Sequence, residues 1–265
     1  MTSQPDVDNA LQPEESTEGV GQETETEEID LQDETAGPEV SDAELEAARL
    51  KPIYFVSGLG ADERIFQWLH YDGFRPVHIR WIPPQKGESI ESYAKRLSEQ
   101  IVDEQPTIVG LSFGGMIAVE LAKQVNAEKV ILLSTVKKTS EVPFYFKMFR
   151  AFPIHRVFPF KSVLWAFYWL ANWLFSPEGS EEKTLLKTVL KETDPHFLKW
   201  ALHKVVVWKN REIPESVVHV HGKRDRIFPF RLVAPDYAVE DCGHLMVMNR
   251  AEEISTLIMK LTADQ

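Results

Sequence analysis

A single cysteine, Cys242, stands in 265 residues, so the chain can form no internal disulfide, and its lone thiol fits a reducing compartment. Residues 1 to 48 lack lysine, arginine and every aromatic residue, yet hold 16 aspartates and glutamates. With so little apolar surface to offset chain entropy, this stretch is expected to be a disordered acidic tail. A long hydrophobic run is also missing. The longest, Val163 to Phe175, is interrupted by Asn172 and falls short of the roughly 20 residues a spanning helix needs. The first residues lack the basic and apolar pattern of a secretory signal, and the expected location is cytoplasmic. His219 and His221 have a spacing that can bind metal, but no nearby Cys or carboxylate pattern completes a site, so no metal is expected. The basic residues form no nucleic-acid-binding motif.

What is present lies mostly in residues 49 to 265. Outside the acidic segment the chain carries the other 25 acids and all 29 bases, so the formal charge of −12 belongs to the tail and the body is weakly basic. A body of this size can bury one sizeable core. Short β-rich runs alternate with helical patterns. Ile53–Val56, Val77–Ile82, Thr107–Leu111, Lys129–Ser134 and Val217–His221 read as strands, and Glu91–Val102 and Glu252–Leu261 as helices. Alternation of this kind implies crossover connections and an α/β fold with a mainly parallel sheet flanked by helices. The working residues of such sheets gather at the strands' carboxyl ends, where Ser57, Ser112, Ser134 and His221 fall. The alternation stops between Ser134 and Val217. Residues 137 to 210 read as an inserted, aromatic-rich helical lid.

The most informative stretch is Gly110-Leu111-Ser112-Phe113-Gly114-Gly115, placed between an apolar strand and a helical run. A strand, G-x-S-x-G and a helix in that order put the serine on a sharp turn with its hydroxyl above the sheet. The flanking glycines leave room for the turn, because a Cβ there would collide with the neighbouring strand and helix. A serine hydroxyl also needs a base and a group to orient it. Asp225 follows the late strand in His221-Gly222-Lys223-Arg224-Asp225, with Asp241 and Asp236 as rivals. His244 sits in Asp241-Cys242-Gly243-His244, before the last helix. The order Ser112, Asp225, His244 is the one this layout requires. The oxyanion that forms on attack needs N–H donors, and the backbone of Phe113 and of Leu59, with Gly60 next, is positioned for that role.

These features together resemble the α/β-hydrolase family over residues 51 to 262. The motifs are the elbow Gly110–Gly115, the acid loop from His221 through Asp225 to Pro229, and Gly243-His244. Ser57-Gly58 departs from the His-Gly usual at the family's oxyanion loop. The resemblance implies cofactor-free hydrolysis through an acyl-serine, on a small ester or thioester with an apolar acyl part. Acyl transfer, carbon–carbon bond hydrolysis and a non-catalytic ligand-binding role stay open as alternatives.

Several residues carry a plainer reading beside the functional one. His219 and His221 alternate along a strand and share a face, and are expected to be structural. Cys242 is expected to pack. Trp165, Trp169 and Trp173 recur at four-residue spacing on one helical face, with packing of the lid helices on one another and on the sheet as the expectation and an apolar acyl pocket over Ser112 as the functional reading. Residues 137 to 161 hold six basic residues against Glu141 alone, which also admits contact between lid and an anionic lipid surface. Nothing in the sequence fixes the oligomeric state.

Overall fold

The computed structural model describes residues 50–151 and 168–263. The acidic segment 1–48 lies outside the described residues, as do Phe152 and Trp165 of the expected lid. Six strands form one sheet: β1 (Lys51–Val56), β2 (Phe74–Ile79), β3 (Thr107–Leu111), β4 (Lys129–Leu133), β5 (Val217–Gly222) and β6 (Tyr237–Val239). Their order is β2-β1-β3-β4-β5-β6, and every pairing is parallel.

Side-chain alternation along the strands sorts the core into two layers. Ile53, Phe55, Val109, Leu111, Ile131 and Leu133 face one way. Tyr54, Val56, Ile108, Val130 and Leu132 face the other. The second face is covered by α1 (Ile90–Leu97) and α2 (Phe113–Ala122), through Tyr93, Leu97, Met116 and Ile117. Between β4 and β5 come α3 (Phe144–Ala151), α4 (Tyr168–Phe175), α5 (Ser180–Glu192) and α6 (Pro195–Val207). The chain closes with the short α7 (Met246–Asn249) and with α8 (Ala251–Ala263), whose Ile254, Ile258 and Leu261 cover the first face.

Two of the expected elements are displaced by more than two residues at an end. The second strand was expected at Val77–Ile82 and lies at Phe74–Ile79. Its span is set by its partner: Lys51 pairs with Phe74 and Val56 with Ile79, so the ladder ends where β1 leaves the sheet. Pro76 is tolerated inside it because β2 is an edge strand. The helix expected to reach Val102 ends at Leu97, passes through a 3₁₀ turn at Ser98–Gln100 and becomes extended at Ile101. The Tyr54 hydroxyl meets Asp103 and accepts the Val102 N–H there, which holds this exit against β1.

The expected lid segment is not uniform. α5 contributes Leu185 and Val189 to the first layer, and α6 contributes Phe197, Ala201 and Val205 to the second. The outward apolar residues sit on the other two helices: Phe144 and Met148 on α3, and Trp169, Leu170 and Trp173 on α4. Trp169 and Trp173 lie one turn apart on α4 and are 66% and 53% exposed.

Candidate functional site

The sheet reverses its direction of growth at β1, since the chain adds β2 on one side and β3 on the other. Loops leaving neighbouring strands in opposite directions open a crevice at the carboxyl edge. Ser112 lies in that crevice, directly after β3. Its φ is +55° and its ψ is −120°, a conformation a non-glycine residue adopts only when its surroundings enforce it. Three hydrogen bonds do so. Its N–H donates to the Leu133 carbonyl (2.9 Å), and its carbonyl accepts from the Gly115 N–H (2.9 Å) and from the Thr135 hydroxyl (2.5 Å). The glycines provide the space the sequence implied. A Cβ on Gly114 would stand 2.2 Å from the Ser57 carbonyl oxygen, and one on Gly110 would stand 2.6 Å from that of Gly114. The first turn of α2 therefore lies against the end of β1.

The His244 imidazole stands between Ser112 and Asp225. Its Nε2 is 2.8 Å from Ser112 Oγ and its Nδ1 is 2.8 Å from Asp225 Oδ2. Asp225 and His244 are both buried. The other carboxylate oxygen, Oδ1, accepts the N–H groups of Ile227 (2.8 Å) and Phe228 (2.9 Å). Burial by itself would raise the Asp225 pKa. The adjacent His244 imidazole, His221 and the Phe228 N–H outweigh burial and hold it below the usual carboxylate range. The Arg224 N–H donates to the Cys242 carbonyl (2.8 Å), which ties the loop carrying Asp225 to the loop carrying His244.

The rival carboxylates are engaged elsewhere. Asp241 pairs with Arg224 at 2.6 Å on the surface. Asp236 accepts the His219 N–H at 2.7 Å. Neither arginine beside Asp225 takes its carboxylate: Arg224 turns to Asp241, and Arg226 donates to the Trp173 carbonyl (2.7 Å) and to Ser176 Oγ (3.2 Å).

The loop after β1, which holds Leu59, passes beside the elbow. Gly58 lies beside the elbow, where an added Cβ would stand 3.6 Å from that of Ser112. The Phe113 N–H opens α2, so no earlier turn of that helix supplies it with an acceptor. Ser57, where the resembling family usually has histidine, is buried, and its Oγ donates to the Ala61 carbonyl at 2.6 Å. The Ala61 N–H in turn donates to the Gly58 carbonyl (3.0 Å), and Trp81 Nε1 donates to the Ala61 carbonyl (2.9 Å). Serine thus closes the loop on itself through its own side chain.

Some neighbours of the site were not legible in the sequence. Phe175, at the end of α4, sets its ring edge-on to the His244 imidazole at 5.6 Å. Phe228 approaches the same imidazole at 5.9 Å and stacks on Phe146 of α3. Gly243 lets the histidine loop pass Ser176, because a Cβ on it would stand 3.0 Å from that of Ser176. No periodic signal marks these residues, since each meets the imidazole through tertiary folding alone.

The remaining candidates have plain surroundings. Cys242 is buried, and burial pushes its thiol up to about 12, so it packs as a small apolar group. His219 and His221 are buried with their rings in contact. Among the described residues no group of three or more His, Cys, Asp or Glu side chains is placed to hold a metal. Nor is any described helix long and apolar enough to cross a membrane. A groove of about 690 Å³ runs between β6 and α8, lined by Tyr237, Val239, Arg250, Glu253 and Leu257, and includes none of Ser112, Asp225 and His244.

Comparison with known proteins places this architecture. A search of curated proteins finds no match. Solved structures with the same fold include a hydrolase from Oleispira antarctica, with a TM-score of 0.65 at 15% identity over 81% of this chain and 92% of that one. An esterase from Exiguobacterium antarcticum gives a TM-score of 0.63 at 17% identity over 80% of this chain and 92% of its own. A thermophilic esterase from Thermogutta terrifontis gives 0.60 at 17% identity over 81% and 90%. The profile of the Alpha/beta hydrolase family matches residues 53–257, and the chain belongs to that family.

Proposed function

We propose that this protein is a serine hydrolase that cleaves an ester or thioester bond of a small substrate with an apolar acyl part. The observation that carries the reading is the unbroken line of contacts from Ser112 Oγ through His244 to Asp225, each 2.8 Å, beginning at a strained elbow. Asp225, an acceptor only, fixes the hydrogen of His244 on Nδ1 and leaves the Nε2 lone pair facing the serine hydroxyl. Ser112 Oγ attacks the substrate carbonyl carbon as its proton passes to Nε2. The oxyanion is held by the backbone N–H groups of Phe113 and Leu59. His244 then gives that proton to the leaving alcohol or thiol, and the acyl group remains on Ser112. Water, deprotonated by the same nitrogen, attacks the acyl-serine and releases the carboxylic acid and the free serine.

Residues 137 to 210 serve in this reading as a lid. Phe175 of α4 and the Phe146–Phe228 stack flank His244 with apolar surface, which keeps solvent from the ion pair that forms in the transition state. The neighbours named as esterases add fold-level support.

The test combines a fluorophosphonate serine probe with p-nitrophenyl esters and acyl thioesters of graded chain length. Ser112 is expected to be labelled rapidly. Ser112→Ala is expected to lose labelling and to fall by roughly 10⁶ in kcat, with an unchanged melting temperature. Full esterase activity in that variant would remove the assignment.

A further inference from the structure

His221 is not one of the three residues in the line of contacts, yet it is wholly buried directly behind Asp225. Its Nε2 lies 2.7 Å from the Phe228 carbonyl oxygen. A carbonyl only accepts, so the hydrogen of the neutral ring is on Nε2 and its Nδ1 is an acceptor. Nδ1 faces His219 Nε2 at 3.2 Å, which is then the donor. Burial disfavours the charged form of both rings. The Phe228 carbonyl thus sets the His221 tautomer and His221 in turn sets that of His219, so the direction of donation is from His219 to His221 to Phe228.

Phe228 is consequently held through both of its backbone groups. Its carbonyl is fixed by His221, while its N–H donates to Asp225 Oδ1 at 2.9 Å. Its ring also lies against the His244 imidazole. One residue therefore sets the tilt of the carboxylate and one wall of the ring it orients. His221 Nε2 is 3.5 Å from Asp225 Oδ2, too long for a good hydrogen bond but close enough for its N–H dipole to favour the ionised carboxylate. We propose that His221 is a positioning residue for the triad, its tautomer fixed by the Phe228 carbonyl, setting the geometry of Asp225 and His244 through the backbone of Phe228. This rests on the reading of Ser112, Asp225 and His244 given above. His221 touches no reacting atom, so its effect falls on the chemical step and not on substrate binding.

The experiment compares wild type with His221→Gln, His221→Asn and His221→Leu in the full chain. The readouts are p-nitrophenyl ester kinetics, the rate of fluorophosphonate labelling at Ser112, and melting temperature. A glutamine amide nitrogen reaches the place of Nε2 and can donate to Phe228, whereas an asparagine amide is too short. Asn and Leu are expected to lower kcat and the labelling rate on the order of 10- to 100-fold, with KM within about twofold of wild type. Gln is expected to recover to within about threefold of wild type in both rates, the result a general packing role would not give. Gln and Asn are similarly polar, so their comparison decides the matter even where Leu fails to fold. Equal activity of Gln and Asn at matched melting temperature, or a change confined to KM, would overturn the inference while labelling of Ser112 upheld the triad. An unlabelled wild type would overturn both.

Discussion

At the scale of single residues, Asp225 is held on both of its carboxylate oxygens. It sits in a buried place that would ordinarily favour a neutral acid, and four contacts reverse that preference: two backbone N–H groups on Oδ1, His244 Nδ1 on Oδ2 and the His221 N–H nearby. Asp225→Asn separates its two tasks. The amide oxygen can still accept the Ile227 and Phe228 N–H groups, so the loop keeps its shape. The amide nitrogen then faces His244 as a donor, draws the lone pair to Nδ1 and leaves Nε2 carrying the hydrogen, which cannot receive the serine proton. We expect kcat to fall on the order of 10⁴-fold, the loss known for the equivalent change in a serine protease, with KM little altered. Steady-state kinetics on a p-nitrophenyl ester, beside a melting curve, provide the check. A loss under about tenfold would mean that Asp225 is not the orienting carboxylate.

At the scale of elements, legibility followed from whether local chemistry decided the outcome. The elbow was readable because Gly110, Ser112 and Gly114 are needed where a strand turns sharply into a helix, and the need is local. Asp225 and His244 were readable because one follows a legible strand and the other stands beside a glycine before the last helix, in a fixed chain order. The limits of β2 were not readable, since they depend on where β1 leaves the sheet. Nor was β6, three residues long with Tyr237 and Ala238 exposed, which gives no apolar pattern to find. The attachment of α4 was also hidden, because it depends on Arg226, a residue that looks like an ordinary surface charge. Its guanidinium lies 4.9 Å over the Trp173 ring and donates to the Trp173 carbonyl and the Ser176 hydroxyl. A cation at the carboxyl end of α4 also complements the helix dipole there. Arg226 thus clasps α4 to the loop that carries Asp225, and Phe175 is kept beside His244. Arg226→Ala is expected to raise amide exchange in residues 168–175 roughly tenfold while leaving β5 unchanged, and to raise KM more than it lowers kcat. Hydrogen exchange by mass spectrometry reads the first and ester kinetics the second. Unchanged exchange in α4 would show that its other contacts hold it.

For the molecule as a whole, the buried histidines couple the fold to pH. Burial, reinforced by His221 and Lys137, pushes His219 down to about 2, and burial also lowers His221 and, less completely enclosed, His78. A histidine that is neutral when folded but has an ordinary pKa of 6.5 when unfolded gives the unfolded chain the extra proton below that pH. Stability conferred by its neutral state is therefore complete above 6.5 and falls as pH drops below it, by about 1.4 kcal/mol per pH unit for each fully excluded ring. Asp225 works in a different window. Its carboxyl is depressed, so its contribution is present above the unfolded value of 3.8 and is lost only as pH falls below that. Between pH 6.5 and 4.5 the histidines consequently dominate. The net charge does not oppose them, because the acids that make it −12 are concentrated in residues 1 to 48 and the body only becomes more positive as pH falls. The melting temperature should decline across that interval at constant ionic strength. His219→Gln keeps an amide donor facing His221 but cannot titrate, and its decline should be distinctly shallower. Identical slopes for the two proteins would mean that His219 becomes protonated within the folded state, and that the pair of rings behind Asp225 is less sealed than its burial implies.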